Sequence, residues 1–284
     1  MSTDVGCALL RGGTFQRMRG ERTFIRVPEP GPAVRLRSRV GGRWARAERF
    51  LAATTGAHPS RVTVLQHLLA TLLLRVMERY PRTAARRRLR NERALADAVA
   101  EGRGVIVAHT HLFGPALDSV TLAARGYPGA AVSVSWPEHA GERLERITAA
   151  LGAYGGSIVV RGEGSLFDQV AEGLRRGEIF HMSVDVPGST EARFLGCQGR
   201  VAGGVGSLAE LTGACVVPVA PSRSGLALEV HEPMRSTGDP RALTQRLCDW
   251  ASSEILARPY AWEDNDLGLM SIGRTADEPT VSVS

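Results

Sequence analysis

Two histidines and a carboxylate follow a hydrophobic run in the segment VIVAHTHLFGPALD, residues 105–118. His109 and His111 close the run, and Asp118 lies seven residues beyond His111. An imidazole titrates near neutral pH, so it can take a proton from a hydroxyl or an amine that attacks a carbonyl carbon. A carboxylate on the second ring nitrogen would fix the tautomer and stabilise the imidazolium. The segment therefore predicts a histidine base with an orienting acid. A buried histidine bonded to backbone carbonyls is the alternative interpretation of either ring.

A second informative segment runs from residue 183 to residue 219. In it a predicted strand ends at Asp185, a glycine-rich loop covers 186–202, and a helix opens after three glycines. Free N–H groups at a helix N-terminus bind anions or oxyanions. GVGSLA (204–209) matches one variant of the dinucleotide fingerprint, but a loop precedes it and no acid follows where the ribose would need one. The segment therefore favours an anion or oxyanion contact over a nicotinamide site.

These two segments sit within an alternation of apolar and amphipathic stretches. Apolar runs predict strands at 104–109, 130–136, 157–162, 179–185, 215–223 and 226–233. Helical periodicity predicts helices at 115–127, 141–155, 165–178, 205–214 and 240–259. Alternating strands and helices predict an α/β fold, with a mostly parallel central sheet flanked by helices on both faces. Ligands gather at the carboxyl ends of such strands, which is where both histidines lie.

Two helices are predicted ahead of the alternation, and the two ends of the chain are predicted to be irregular. The apolar stretch 62–77 is shorter than a membrane span and contains polar residues, so we interpret it as a buried or membrane-touching helix. A second helix is predicted at 85–104. Residues 1–59 form an irregular N-terminal segment in this interpretation, 60–265 the α/β domain, and 266–284 a disordered tail.

Composition narrows the range of partners. All 35 basic residues are arginine, which is more typical of a GC-rich genome than of a selected binding surface. The formal net charge of +6 still favours anionic partners such as a phospholipid surface, a phosphopantetheine or CoA group, or an acidic carrier protein. The arginines are scattered and accompany no nucleic-acid motif, so nucleic acid is not predicted. The four cysteines are widely spaced, which predicts free thiols in a reducing compartment and no metal site. With no apolar leader, a cytoplasmic protein is expected, and contact with the inner face of the membrane is compatible with this.

The motifs and their order resemble the lysophospholipid acyltransferase superfamily. Within it, the sequence is most similar to the lauroyl/myristoyl acyltransferase branch, which acylates lipid A precursors and phosphatidylinositol mannosides. The resemblance covers about 60–265 and is carried by GVIVAHTH…FG, RGEGSLFDQVAEGLRRGEIFHMSVD, ARFLGCQGRVAGGVGSLAELTGACVVPV and SSEILARPYAWEDN.

This resemblance implies a glycerol-3-phosphate acyltransferase-like fold and direct acyl transfer from a thioester, without a covalent acyl-enzyme. Acyl-CoA or the phosphopantetheine of an acyl carrier protein would be a co-substrate, and no cofactor would stay bound. His111 falls on the general base, with His109 as the alternative, and Arg161 falls near a donor or oxyanion contact. The donor pocket would include Asp185, Phe194 and Gly196. An exposed strand-end arginine is the alternative for Arg161, and packing is the alternative for Phe194 and Gly196.

The acid departs from the family pattern, in which four residues separate the histidine from Asp or Glu. Counting from His111 reaches Ala116, counting from His109 reaches Gly114, and Asp118 comes two residues late. A two-residue insertion in the turn 112–115 would let Asp118 meet His111. Alternatively, the acid is dispensable because the acceptor is an easier nucleophile, such as an amine, or the enzyme has lapsed or been rewired.

The predicted function is acyl transfer from a CoA or carrier-protein thioester to a hydroxyl or amine. The imperfect motif and the arginine-only composition point to a role in specialised, natural-product metabolism, and a lysolipid acceptor is also compatible. The alternative is a non-catalytic module that binds acyl groups or carrier proteins and retains the fold. A hydrolase that uses water as acceptor is a third interpretation. No GxSxG elbow is present, so a serine nucleophile of that kind is not expected.

Overall fold

The computed structural model describes residues 14–15, 25–26, 69, 72–133, 141–160, 165–258 and 261–262. Near the N-terminus, β1 (Thr14–Phe15) pairs antiparallel with β2 (Ile25–Arg26). Residue 69 and residues 72–79 are helical, which matches part of the helix predicted at 62–77. The remainder of that helix, the rest of the N-terminal segment 1–59 and the tail 266–284 lie outside the described residues.

The main body alternates strands and helices after a short 3-10 helix at Pro81–Arg86. Its strands are β3 (Arg88–Arg90), β4 (Val105–His109), β5 (Ala130–Ser133), β6 (Ser157–Val160), β7 (Ile179–Ser183), β8 (Pro187–Phe194), β9 (Cys197–Val201), β10 (Cys215–Pro221) and β11 (Ala227–Val230). Its helices are α1 (Glu92–Ala100), α2 (Pro115–Ala124), α3 (Gly141–Gly152), α4 (Leu166–Arg175), α5 (Gly204–Thr212) and α6 (Pro240–Ala257).

Seven strands form one central sheet in the order β3-β11-β10-β4-β7-β5-β6. All neighbouring pairs run parallel except β10 and β11, which are antiparallel. The predicted α/β fold with a mostly parallel sheet is therefore confirmed. Because β4 lies between β10 and β7 with all three parallel, their carboxyl ends share one edge of the sheet.

Hydrophobic side chains cover both faces of the sheet. Val105 and Val107 of β4 belong to a buried cluster with Leu95 of α1, whereas Ile106 and Ala108 belong to a second cluster on the opposite side. Side chains alternate between faces along a strand, so a strand buried on both sides reads as a continuous apolar run. This is why β4 and β10, which are buried at every position, could be predicted from the sequence.

Two local predictions are wrong. The segment 186–202, predicted as a loop, forms the β8–β9 hairpin, whose turn residues Leu195 and Gly196 have φ values of 52° and 81°. Positive φ at both central positions gives a turn that matches the twist of paired strands. The helix predicted at 85–104 forms only over α1, because β3 pairs with β11 and Asn91, at φ 54°, separates strand from helix.

The close packing of Gly129 generates a test of the fold. A methyl group there would lie 2.6 Å from Nε2 of His181 and 2.9 Å from the carbonyl oxygen of Ile179. We expect Gly129→Ala to lower the free energy of unfolding by about 1–3 kcal/mol, as overpacking does. Gly152, near the end of α3, has open space around the same position, so Gly152→Ala should be neutral or slightly stabilising. Equal changes for both variants in urea unfolding would contradict this packing.

Candidate active site

The site is built where two neighbouring parallel strands end. His109, the last residue of β4, is paired in register with Ser183, the last residue of β7. Two residues further along each chain segment lie His111 and Asp185. The amide of Val184 donates to the carbonyl of His109 at 3.0 Å, which keeps the two segments together beyond the strands. The sheet therefore brings a histidine and a carboxylate together that are 74 residues apart in the sequence.

Asp185 receives hydrogen bonds from both the ring and the backbone of His111. Nδ1 of His111 lies 2.8 Å from Oδ1 of Asp185, and the backbone N–H of His111 donates to Oδ2 at 2.8 Å. Nε1 of Trp262 donates to the same Oδ2 at 2.9 Å. Asp185 is completely buried, whereas the side chain of His111 is 17% exposed. The carboxylate is thus inside the protein, and part of the imidazole faces outward.

The surroundings keep Asp185 ionised. Burial alone would raise its pKa, but the charge of His111, its ring and backbone hydrogen bonds and the indole N–H of Trp262 together hold the pKa of Asp185 below its usual value. An ionised Asp185 is only a hydrogen-bond acceptor, so Nδ1 of His111 carries a proton, and in the neutral imidazole the lone pair then lies on Nε2. This is the tautomer that a general base needs.

The predicted acid, Asp118, makes a different contact. Its Oδ1 lies 2.5 Å from Nη1 of Arg87, and the two side chains are only 1% and 3% exposed. Asp118 is in the first turn of α2, as expected, but the carboxylate that the structure places on Nδ1 of His111 is Asp185. The prediction had assigned Asp185 to the donor pocket.

The alternative base, His109, is buried together with His181. The two rings lie with their centroids 6.5 Å apart, and neither ring nitrogen of either residue has a hydrogen-bond partner among the described residues. Burial lowers the pKa of His109 to about 3, helped by the charges of His181 and His111, and lowers that of His181 to about 4. Both rings are therefore neutral at physiological pH and far less exposed than His111.

Two of the remaining predicted positions, Phe194 and Gly196, belong to the β8–β9 hairpin. Phe194 is buried at the end of β8, and Gly196 occupies the hairpin turn with open space around its Cα. The hairpin is held on α6 by hydrogen bonds from the backbone of Arg193 and Leu195 to Gln245 and Ser252. Arg161 lies outside the described residues.

A cleft of about 710 Å³ lies at the carboxyl end of β10. It is lined by Leu69, Leu73, Arg90, Ser222, Arg223, Ser224, Leu226, Glu229, Glu254, Ala257 and Arg258. Arg90 pairs with Glu229 and Arg258 with Glu254, whereas Arg223 makes no ion pair with any described residue. Three residues beyond Arg258, the carbonyl of Ala261 accepts the amide of Phe113, which links the cleft wall to the loop of His111. Leucines and a surplus arginine suit a ligand with both apolar and anionic parts.

Sequence reasoning missed Arg87, Trp262 and the pairing of Asp185 with His111. Asp185 carried a usable signal, because it stands beyond a strand end just as His111 does. The adjacency of β4 and β7 could not be read from the sequence, since β5 and β6 intervene along the chain. Trp262 lies in the terminal stretch that contributed to the family resemblance, but nothing in its spacing indicated an acidic partner.

The described residues offer neither a metal-binding cluster nor a membrane-spanning helix. Among them, no group of three or more histidines, cysteines or acidic residues is arranged to hold a metal ion. None of the helices in this part of the chain combines the length and apolar character needed to cross a membrane.

The molecule is thus an α/β protein with a histidine–aspartate pair at the carboxyl edge of a mostly parallel sheet. The model of the bacterial lipid A biosynthesis acyltransferase family matches residues 63–263, and the chain belongs to this family. Comparison with curated protein sequences gives no significant match. The family membership confirms the predicted resemblance and supports acyl transfer in lipid metabolism.

The buried histidines generate a pH prediction. The pKa values of about 3 and about 4 lie below the 6.5 of an ordinary imidazole, so the unfolded chain binds more protons than the folded one between about pH 6.5 and 4. Stability should therefore fall as pH falls through this window. We expect His181→Leu to change stability little at pH 8 and to weaken this decline. Urea unfolding at pH 8 and pH 5 measures the decline in the free energy of unfolding. An equal decline in His181→Leu would show that His181 does not contribute to it.

Proposed function

We propose that this chain transfers an acyl group from a CoA or carrier-protein thioester to a hydroxyl or amine acceptor, with His111 as general base. The observation that carries the proposal is the 2.8 Å contact between Nδ1 of His111 and Oδ1 of the buried Asp185, in a ring that is 17% exposed. In this proposal Asp185, and not Asp118, orients the base. The family to which the chain belongs supports the acyl-transfer part of the statement.

The reaction follows from the tautomer. Nε2 of His111 takes the proton of the acceptor O–H or N–H while the acceptor atom attacks the thioester carbonyl carbon. Asp185 stabilises the imidazolium that forms, since its charge lies against Nδ1. The carbon–sulfur bond of the tetrahedral intermediate then breaks, and the imidazolium returns the proton to the departing sulfur. The acyl group passes directly to the acceptor, and the enzyme needs no covalent intermediate or bound cofactor.

The cleft at the end of β10 supports a substrate with an apolar and an anionic part. Its three arginines and two glutamates leave one formal positive charge, and Leu69, Leu73 and Leu226 supply apolar contact area. Both an acyl-CoA and an acylated phosphopantetheine combine a hydrocarbon chain with phosphate, so either donor fits this chemistry. The carrier protein would be acidic, to match the basic surface of the chain.

The cellular setting is part of the proposal. Cys215 and Cys248 are buried free thiols, which supports a reducing compartment such as the cytoplasm. We place the enzyme there, with peripheral contact to the inner face of the membrane. The carboxylate on the ring of His111 is Asp185, which follows β7, and not an acid at the family's spacing from the histidine. This departure supports a specialised acceptor from natural-product metabolism.

Substitution of His111 and of Asp185 tests the mechanism. We expect His111→Ala to lower kcat by 10²–10⁴-fold, the usual loss when a general base is removed. Asp185→Asn should lower kcat by about 10²-fold or more, because an amide N–H facing Nδ1 favours the tautomer with a protonated Nε2. Single-turnover assays with acyl-CoA and with acyl carrier protein, each against a panel of hydroxyl and amine acceptors, measure both losses and identify the donor.

The matched control is Asp97→Asn, since Asp97 is 70% exposed in an ion pair on α1. It should leave kcat and the melting temperature unchanged. Full activity in folded His111→Ala would exclude His111 as the base. Thioester binding without transfer to any acceptor, or to water, by the unsubstituted protein would instead identify a non-catalytic acyl-binding module.

A further inference from the structure

The loop between His111 and α2 has a strained backbone. Phe113, a buried non-glycine residue, has a φ of 51°, and the next residue, Gly114, has a φ of 74°. Left-handed conformations cost free energy in residues with a side chain and persist only where their surroundings impose them. The loop must therefore be held at both of its ends.

One end is held by the segment that follows α6. The amide of Phe113 donates to the carbonyl of Ala261 at 3.0 Å, and Leu112 forms an antiparallel β-bridge with Trp262. Trp262 also donates to Asp185, so this contact belongs to the site already described. It fixes the His111 side of the loop.

The other end is the first turn of α2, which begins at Pro115 immediately after Gly114. Asp118 in this turn pairs with Arg87, whose side chain is 3% exposed. Two further contacts join the same regions: Oγ1 of Thr121 donates to the carbonyl of Ala84, and the guanidinium of Arg125 donates to the carbonyl of Arg87, each at 3.0 Å. The 3-10 helix and Arg87 thus dock on α2 along two turns.

Of these contacts, the ion pair between Arg87 and Asp118 has the strictest requirements, because both charges are buried. Among the described residues, Nε and Nη2 of Arg87 have no hydrogen-bond partner, whereas Nη1 pairs with the carboxylate of Asp118, whose charge balances the buried guanidinium. Removing one partner of a buried pair leaves an uncompensated charge and is strongly destabilising, whereas replacing both with apolar residues is often neutral. A buried pair of this kind constrains where α2 begins.

We infer that Arg87 and Asp118 are positioning residues that fix the start of α2 and thereby hold His111 in its catalytic position. This inference rests on the proposed function of His111. Asp118 acts through the helix and not on the imidazole, which accounts for its displacement from the spacing of the family. A misplacement of about 1 Å in a catalytic group can cost about 10²-fold in rate.

The test compares Asp118→Asn, Arg87→Met and the double variant Arg87→Met/Asp118→Leu. We expect each single variant to lower kcat by about 10²-fold and the melting temperature by on the order of 10 °C. The double variant should recover most of the melting temperature and a kcat within about 10-fold of the unsubstituted protein.

The pH midpoint of kcat should stay in place in all three variants, since the bond between His111 and Asp185 remains, and should move in Asp185→Asn. Arg93→Met, in an exposed ion pair on α1, is the control and should change neither kcat nor the melting temperature.

Arg87→Lys covers the case in which the other variants do not fold, because it keeps the charge and loses the guanidinium geometry. Hydrogen exchange of the amides of residues 112–114 and 116–118 should be at least about 10-fold faster in Arg87→Lys than in Arg93→Met. A stable double variant with a kcat as low as that of Asp118→Asn would show that Asp118 acts directly and would overturn the inference. Unchanged exchange in Arg87→Lys would also overturn it. Absence of transfer by the unsubstituted protein would refute the proposed function alone, since exchange and melting still test the positioning.

Discussion

The buried carboxylate of Asp185 sets the geometry of the whole site. A carboxylate without access to water needs hydrogen-bond donors and a compensating charge, and here both come from groups that belong to the site. His111 supplies its backbone N–H and its ring, and Trp262 supplies its indole N–H. These donors come from the segment after β4 and the segment after α6, and the acceptor follows β7. Satisfying one buried charge therefore ties three distant parts of the chain together and orients the imidazole.

The second buried carboxylate, Asp118, meets the same physical requirement with a cation. Its pair with Arg87 secures the start of α2, while the contacts around Trp262 secure the residues next to His111. Between these two anchors lies the left-handed backbone of Phe113 and Gly114. A loop strained in this way would relax if either end were free, so the backbone next to His111 is tied to both carboxylates, of which Asp185 contacts Nδ1 of the ring.

Local properties of the fold can be predicted from the sequence, whereas properties that depend on strand order cannot. Continuous apolar runs identified β4 and β10, because both faces of the sheet are covered. The β8–β9 hairpin has exposed positions and no such run, and it was predicted as a loop. Closeness to His111 in the sequence favours Asp118 as the acid. Asp185 is the spatial neighbour because β7, although 74 residues away, returns to pair with β4.

Solvation separates three histidines that look alike in the sequence. His109 and His181 lie on the packed face of β4 and β7, where burial lowers their pKa values to about 3 and about 4. His111 stands two residues beyond the end of β4, where the ring is partly exposed and has an ionised carboxylate behind it. Strand alternation alone would place His109 and His111 on the same side of the sheet. It does not reveal where the strand stops, and that boundary decides which imidazole is partly exposed.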